Sequence, residues 1–277
     1  MIKKDGKKDH RIGPNGTTKR GKLMKTKIRE FGLSLGIDDV GIAAVKDYKS
    51  PRSPDLQTIF PGAKSIVVLA HKEPSNCESE NMQIAMAGRL DVMEFSRSSN
   101  YRVARFLERE FKAKAMTVPP SYPLHMSYET KGTVGDLSLR HAAVAAGLGN
   151  FGRHNLVIHP NMGTRVVFTA VVTNLELPSD PPVTEKLCTD CNICVDQCPA
   201  RALDEAGKTD DMKCLKNSQP YGIGSVIRFW NKFAESPTDE QKKMVRDVNF
   251  WRLYQAGFIG FQYFCFNCMK SCPVAQG

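Results

Sequence analysis

A closely spaced run of four cysteines is the strongest chemical signal in this sequence of 277 residues. Cys188, Cys191, Cys194 and Cys198 follow the spacing C-x2-C-x2-C-x3-C and are followed directly by Pro199. Three thiolates within seven residues can bind one iron-sulfur cube, while the fourth cysteine of such a run points away toward a second cluster. The run therefore predicts ligands for iron-sulfur clusters.

A second cysteine run lies near the C-terminus and lacks its first member. Cys265, Cys268 and Cys272 keep the spacing of the first run, and a proline again follows the last cysteine. Cys214, 51 residues upstream of Cys265, is the natural replacement for the missing ligand. The sequence therefore predicts that an insertion of residues 215–264 splits the second motif without destroying it.

Crossed ligation, in which the last cysteine of each run binds the other cluster, divides the eight ligands into two sets of four. The first predicted set is Cys188, Cys191, Cys194 and Cys272. The second predicted set is Cys198, Cys214, Cys265 and Cys268. Two four-cysteine zinc sites are the alternative, although zinc motifs seldom show a run of three plus one with a trailing proline. Cys77, the ninth cysteine, is expected to be an inert thiol.

Two iron-sulfur clusters carry single electrons, but they do not define what is reduced. About 180 residues precede the first run, which is far more than a small electron carrier needs. This upstream part is expected either to hold the final electron acceptor or to dock a partner. The leading hypothesis is an oxidoreductase, and the alternative is a ferredoxin-type electron-transfer protein that serves a partner enzyme.

The composition and the termini restrict the class of protein. With 41% hydrophobic and 25% charged residues, the chain is typical of folded globular proteins and not of disordered or fibrous ones. The apolar stretches at 66–70 and 166–172 are much shorter than the roughly 20 residues of a membrane-spanning helix, so no membrane partner is expected. Because the basic N-terminus has no apolar core behind it, a cytoplasmic location is predicted, where free thiols persist.

The net charge of +10 suggests a third hypothesis, a redox-dependent RNA-binding module. Residues 1–27 carry ten Lys or Arg against two Asp, and therefore a net charge of +8. The remaining 250 residues carry only +2. The basic character is thus concentrated in the N-terminal segment, and the overall charge does not argue that the folded body binds nucleic acid.

Hydrophobic patterns upstream of the cysteines predict alternating helices and strands. Apolar residues at helical spacing predict a helix over 22–36, and short apolar runs predict strands at 40–45 and 65–70. Residues 81–116 are expected to form two helices. Val103, Leu107 and Phe111 should share the buried face of the second one.

The following stretch predicts one helix between a polar loop at 122–133 and two strands. Asp136 is the expected N-cap of the helix in LSLRHAAVAAGLG, and NLVIHP and TRVVFTAVVTNL are the expected strands. The proline-rich segment ELPSDPPVTEK then reads as a linker. This irregular order favours an α+β sandwich over a regular doubly wound sheet.

Gly147, Gly149 and Gly152 spell G-x-G-x-x-G, the fingerprint of dinucleotide-binding loops. That fingerprint must follow a strand and open a helix, so that a pyrophosphate lies at the helix N-terminus. Here a predicted helix precedes the glycines and a strand follows them. The first two glycines are therefore expected to end a helix, although glycines can also let the backbone approach a bulky ligand.

Taken together, these segments resemble the corrinoid-dependent iron-sulfur reductases, a family that includes epoxyqueuosine reductases and reductive dehalogenases. The resemblance covers nearly the whole chain after residue 20. It rests on IREFGLSLGIDDVGIA, FPGAKSIVVLA, SSNYRVARFLE and AAGLGNFGRHNLVIHPNMGTRV, followed by the two cysteine runs in this order.

The resemblance implies a fold, two kinds of cofactor and a division of the chain. Residues 1–20 contain almost nothing apolar and are expected from their composition to be a disordered basic tail. The resemblance implies that 21–178 form a nitroreductase-like α/β sandwich. Residues 179–277 would form a bacterial-ferredoxin-like domain with two [4Fe-4S] clusters and a helical insertion. Base-off cobalamin would lie between the two domains.

The resemblance also implies a reaction. Electrons from an external donor of low potential, such as ferredoxin or flavodoxin, would pass through the clusters to the corrinoid. The reaction would reduce a carbon-oxygen or carbon-halogen bond of a small-molecule or tRNA-bound substrate. Epoxyqueuosine reductases continue into a helical-repeat domain implicated in tRNA binding, whereas this sequence reaches Gly277 soon after its last cysteine run.

The reactive residues of the family are replaced in part. The proton-donating Asp of epoxyqueuosine reductases falls on Thr133, so the nearest acid is Asp136. The family's Asp-Tyr-His becomes Asn100, Tyr101 and Arg102, and reductive dehalogenases use a Tyr as acid. Tyr101 and Asp136 are therefore the catalytic candidates, with a capping or core role as the alternative for each.

The glycine segment supplies the candidate corrinoid contacts. These are Gly147, Gly149, Gly152, Arg153 and Asn155, with His154 between the last two. The polar side chains after the glycines could hydrogen-bond the amide side chains or the phosphate of a corrinoid. The alternative for them is a turn exposed to solvent.

Overall fold

The computed structural model describes residues 19–120, 124–259 and 264–275. The helices are α1 Lys19–Ser34, α2 Leu56–Ile59, α3 Met82–Phe111, α4 Leu139–Ala145, α5 Ile193–Asp196, α6 Asp211–Ser218, α7 Ile223–Glu235, α8 Thr238–Met244, α9 Val248–Ile259 and α10 Asn267–Lys270. The strands are β1 Asp39–Ala44, β2 Ser65–Lys72, β3 Ala115–Val118, β4 Asn150–Phe151, β5 Val157–Ile158 and β6 Val166–Thr173.

The central sheet has four antiparallel strands in the order β1-β2-β6-β3. The two predicted apolar runs form its middle strands, with Val67 opposite Val171 and Leu69 opposite Thr169. Nearly all residues of β2 and β6 are buried, as expected for strands that are covered on both faces. This arrangement confirms a mixed helix and sheet fold.

Alternate side chains of the sheet face two separate apolar clusters, because successive strand residues point to opposite sides. On one face, Val67 and Leu69 pack with Ile28 of α1 and with Val103 and Leu107 of α3. Each of these side chains is completely buried, which contributes about 1.5–3 kcal/mol for a side chain of this size.

The opposite face of the sheet is covered by α4. Ile66 and Val68 pack there against Ala142 and Ala143. Gly41 of β1 lies so close to α4 that an added Cβ would stand 2.4 Å from the carbonyl oxygen of Ala146. The small residues on both elements thus let the helix lie directly on the sheet.

Residues 81–116 differ from the two helices expected there. The structure has one helix of 30 residues, α3, followed by the short strand β3 at the edge of the sheet. Asn81 caps α3 by accepting hydrogen bonds from the amides of Gln83 and Ile84. Gly88 lies within this helix, and the space that a side chain would take there is filled by Asn76 and Pro74.

The helix before the glycines begins later than expected. Ser138, not Asp136, occupies the N-cap position of α4. The hydroxyl of Ser138 contacts Nδ1 of His141 at 2.8 Å and does not cap the helix end. Asp136 lies outside the helix and is exposed, so the capping role predicted for it is wrong.

Several boundaries shift by a few residues. Helix α1 already begins at Lys19, within the range 1–20 that was expected to be a tail, and residues 1–18 lie outside the described part. The loop expected at 122–133 has no helix or strand in its described part, 124–133. The linker segment 176–186 is irregular, as predicted, and the described part of the insertion is helical.

Among the described helices, none combines the length and the apolar composition that crossing a bilayer requires.

Candidate metal centre

The first predicted cysteine set lines one small cavity between the two halves of the chain. Cys188 and Cys191 lie in the irregular segment before α5, Cys194 lies within α5, and Cys272 follows α10. Helices α5 and α10 pack against each other, which brings Cys272 to the other three. The structure therefore brings Cys272, which follows the other three cysteines by 78 or more positions, into one pocket with them.

Mutual effects on the thiol pKa values show which thiols lie near one another. Burial raises the pKa of Cys194, and the nearby thiols of the first set, Cys188, Cys191 and Cys272, raise it further. Burial likewise raises the pKa of Cys268 to about 12, with added effects from the thiols of the second set, Cys265, Cys214 and Cys198. These neighbours are compatible with crossed ligation, which stays a prediction. Cys194, which belongs to the first predicted set, also raises the pKa of Cys268, so the two sets are neighbours.

Within the described residues, no three His, Cys, Asp or Glu side chains converge closely enough to hold a single metal ion. A cubane cluster is larger than one ion and binds thiolates that stand further apart.

Backbone amides point at several of the sulfur atoms. The amide of Arg153 donates to Sγ of Cys188, and the amide of Ala202 donates to Sγ of Cys198, each at 3.4 Å. The amide of Val274 donates to the sulfur of Cys272. Such donors stabilise thiolates and tune the potential of a cluster bound to them.

His154 lines the first cysteine cavity and is only 4% exposed. Its Nδ1 accepts a hydrogen bond from the amide of Leu156 at 3.1 Å, so Nε2 carries the proton of the neutral ring. Among the described residues, Nε2 has no hydrogen-bond partner. A buried donor beside four cysteines fits a cluster, whose sulfur atoms can accept this hydrogen bond.

The glycine segment packs against the protein itself. Gly147 (φ +70°) ends α4 in a Schellman motif, since its amide donates to Val144 and the amide of Leu148 donates to Ala143. An added Cβ at Gly147 would stand 2.3 Å from the carbonyl oxygen of Pro181. The prediction that this glycine ends a helix is confirmed.

The other candidate corrinoid contacts also have partners within the chain. A Cβ at Gly149 would meet the Ile158 carbonyl oxygen at 2.1 Å, and one at Gly152 would meet the His154 ring. The guanidinium of Arg153 donates to the carbonyl oxygens of Asp204 and Glu205, at 3.3 and 3.1 Å.

Asn155, the last candidate corrinoid contact, also has a partner within the chain. It adopts a left-handed conformation (φ +58°), and its carbonyl oxygen accepts a hydrogen bond from Arg140. The residues expected to contact a corrinoid therefore do not offer it a free cradle in this structure.

Asp136 lies in a segment that is tied to the second cysteine set. Arg52 donates to the Thr133 hydroxyl at 2.8 Å and forms an ion pair with Asp211 at 2.7 Å. Asp211 begins α6, one turn before Cys214. The segment that carries Asp136 is thereby held near the helix that carries Cys214.

Tyr101 lies elsewhere. It is on α3 and lines a different pocket, to which no cysteine contributes. Helix α3 contacts the C-terminal cysteine run through Arg89, whose guanidinium lies 3.6 Å from Sδ of Met269. Tyr101 follows Arg89 by 12 residues, or about 18 Å along the helix. The structure does not bring Tyr101 to the cysteine sets.

Sequence reasoning missed Arg165, which fixes the C-terminal run to the sheet domain. Its buried guanidinium donates to the carbonyl oxygens of Lys270 and Cys272, each at 2.7 Å, and pairs with Glu78 at 2.7 Å. Thr164 adds a hydrogen bond to the Met269 carbonyl oxygen at 2.6 Å. One basic residue after a glycine turn carries no distinctive spacing, so no sequence signal could have identified this role.

Comparisons with known proteins agree with the predicted relationship. No family model matches the chain. The epoxyqueuosine reductase of Bacillus cereus is 26% identical over 215 residues, which cover 69% of this chain and 55% of that protein. The epoxyqueuosine reductase of Bacillus subtilis is 26% identical over 221 residues, covering 69% of this chain and 54% of that protein. The chain thus spans about half the length of these curated relatives.

Solved structures share the fold. A selenomethionine-labelled epoxyqueuosine reductase superposes with a TM-score of 0.61 at 19% identity, over 92% of this chain and 66% of that chain. A reductive dehalogenase superposes with a TM-score of 0.54 at 19% identity, over 77% of this chain and 30% of that chain.

Proposed function

From its relationship to the epoxyqueuosine reductases, we propose that this chain is an iron-sulfur oxidoreductase whose eight cysteines hold two [4Fe-4S] clusters. The observation that carries the proposal is the pairing of distant cysteines. Cys272 joins Cys188, Cys191 and Cys194 in one cavity, as crossed ligation requires. The buried Nε2 of His154 and the amide of Arg153 are the donors available to the first cluster.

The two clusters would supply single-electron transfer at low potential. Their ligand sets are neighbours, so the spacing allows an electron received at one cluster to pass to the other. An external donor such as ferredoxin or flavodoxin would supply these electrons. The reducing cytoplasm is the compartment in which eight ligand thiols persist without forming disulfides.

We place the final acceptor on the side of the second set, where Asp136 lies on the segment held by Arg52 near α6. In this proposal Asp136 donates the proton that accompanies reduction of a carbon-oxygen or carbon-halogen bond. Cobalamin as the acceptor follows from the family resemblance. One structural neighbour is a reductive dehalogenase studied for B12-dependent dehalogenation.

The substrate is a small molecule or a modified tRNA nucleoside. One structural neighbour, an epoxyqueuosine reductase, was crystallised with an epoxyqueuosine-modified tRNA stem loop. The chain spans about half the length of the curated epoxyqueuosine reductases that it matches, so the tRNA substrate is part of this proposal.

A ferredoxin-type electron-transfer protein is the second candidate function. The packing of the glycine segment favours it, since Gly147, Gly149 and Arg153 are used by contacts within the chain. In that case the chain would pass electrons to a partner enzyme and hold no acceptor of its own.

Iron content tests the cluster assignment. Anaerobically reconstituted protein should hold about eight iron atoms per chain, and Cys214→Ala should lower this to about four, because one cluster loses a ligand. Cys77→Ala is the matched control, since Cys77 is buried in an apolar cluster with Ala85 and Phe266 and should leave the iron content unchanged. Equal iron in the wild type and in Cys214→Ala would show that the ligand sets are wrong.

Cobalamin binding separates the two candidate functions. Titration of the reconstituted protein with cob(II)alamin should change the EPR spectrum of the cobalt if the chain holds the corrinoid. An unchanged spectrum, with both clusters present, would favour the electron-transfer protein. Substrate reduction by the purified chain with a chemical reductant would exclude that second function.

A further inference from the structure

Tyr101, a catalytic candidate by sequence, lies in a concave pocket between α1 and α3. The pocket has a volume of about 390 Å³, within the range of small-molecule sites. Tyr101 is 63% exposed, which is unusual for a tyrosine in the middle of a long packed helix. The side chain therefore has a face available to a ligand.

Three arginines and one acid, Glu110, line the same pocket, and the Glu110 carboxylate is paired with Lys27 of α1 at 2.7 Å. Arg102, Arg105 and Arg109 follow each other at spacings of three and four on α3, which places them on one face of the helix. Like charges at these spacings repel each other. Arg105 pairs with Glu108, whereas Arg102 and Arg109 form no ion pair with any described residue. An anion bound between them would relieve this repulsion.

Two aromatic side chains also line the pocket. Phe31 of α1 and Phe106 of α3 are stacked, with ring centroids 4.1 Å apart and planes inclined by 8°. A pocket with guanidinium groups, an exposed tyrosine ring and an apolar wall matches a ligand that has both a phosphate and a flat ring. Guanidinium groups bind phosphate bidentately, and aromatic side chains stack on nucleobases.

We propose that this pocket binds a phosphorylated nucleoside, with Arg102 and Arg109 on the phosphate and Tyr101 against the base. The ligand is a free mononucleotide or a nucleotide within an RNA strand, which share this chemistry. The low net charge of the chain beyond residue 27 does not conflict with this, because it averages over the whole body and the three arginines are local. The site needs neither the clusters nor a corrinoid.

Calorimetric titration of the cluster-containing protein with AMP, adenosine and inorganic phosphate tests the proposal. AMP should bind more tightly than either fragment. The double variant Arg102→Gln/Arg109→Gln should weaken AMP binding by about 10-fold or more, the effect of losing charged hydrogen bonds. Tyr101→Leu should weaken AMP binding and leave phosphate binding unchanged. Arg97→Gln is the matched control, since Arg97 is exposed on α3 but does not line the pocket.

An adenosine octanucleotide of RNA distinguishes the two sources. If RNA is the ligand, the octamer should bind more tightly than AMP. The slope of log K against log salt concentration should then be smaller by about two in the double variant, one for each lost phosphate contact. If the ligand is a mononucleotide, the octamer should bind no more tightly than AMP. Equal binding of AMP and adenosine, equal binding of AMP and phosphate, or an unchanged double variant would overturn the proposal. These outcomes leave the iron content unaffected, so they are separate from a failure of the cluster assignment.

Discussion

His71 shows how strongly burial determines the state of a single side chain in this protein. It lies in the middle of the sheet and is 1% exposed, with Nε2 at 3.2 Å from the Thr169 hydroxyl. The ring meets Phe95 edge-on, and Nδ1 has no hydrogen-bond partner among the described residues. Burial lowers the pKa of His71 to about 4, so the ring is neutral in the folded state.

The pKa of His71 makes stability depend on pH. The unfolded chain binds a proton below pH about 6.5, whereas the folded chain does not until pH about 4. The free energy of unfolding should therefore fall by about 1 kcal/mol per such histidine between about pH 7.5 and about pH 5.5. Urea denaturation at both pH values should show a smaller change in His71→Gln than in the wild type. His125→Gln is the control, since His125 is exposed. An equal pH dependence in His71→Gln and the wild type would contradict this account.

Spacing decided which functional residues could be found from the sequence. The cysteine sets were proposed from the sequence because two fixed intervals and a trailing proline occur in both runs. Tyr101 and Asp136 are single residues without such intervals. The structure separates Tyr101 from the cysteines, and Ser138 takes the N-cap position that was predicted for Asp136. Arg165 and His154 act through contacts between distant parts of the chain, which a linear pattern does not contain.

At the scale of elements, strong apolar runs were predictable and helix continuity was not. Strands β2 and β6 were expected because each contains a long apolar run, and in the structure nearly all of their residues are buried. Helix α3 was divided in the prediction, although Gly88 fits in it through close packing against Asn76 and Pro74. Strand β3 was missed because a four-residue strand at a sheet edge depends on pairing with β6 more than on its own pattern.

The end of α4 allows two effects of one glycine to be separated. Gly147 has a positive φ and also approaches the Pro181 backbone, whereas Gly62 has a positive φ (+84°) with open space around it. Gly62→Ala should cost about 1–2 kcal/mol of unfolding free energy through backbone strain alone. Gly147→Ala should cost clearly more, because the new methyl group also meets Pro181. Denaturant titration of both variants measures the difference, and equal costs would mean that the loop at Pro181 moves freely.

At the scale of the whole molecule, polar contacts and cysteines join the sheet domain to the C-terminal run. Arg165 and Thr164 hold the backbone of residues 269–272, and Cys272 completes the first cysteine set. The described helices of the insertion lie partly exposed, with Trp230 and Trp251 each about half exposed. The cysteine-rich part thus has little apolar core of its own, and bound clusters should contribute much of its stability.

Removal of the clusters should therefore destabilise one part of the chain more than the other. After chelation of the iron under oxidising conditions, limited proteolysis should cut within residues 179–275, while a fragment containing the sheet should persist. Mass spectrometry of the fragments identifies the cut sites. Cys77→Ala with intact clusters should give the same fragments as the intact wild type. Identical digestion with and without iron would show that the fold does not depend on the clusters.

The crossing of the cysteine sets also sets the order of events during synthesis. Cys272 completes the first set, and Cys265 and Cys268 belong to the second. The second set is complete only after residue 268 has left the ribosome, and the first set only after residue 272, when the strands of the sheet have long been available to fold. Cofactor loading must then follow translation of the whole cysteine-rich part, and it would act on a sheet domain that already presents Arg165 as a docking point.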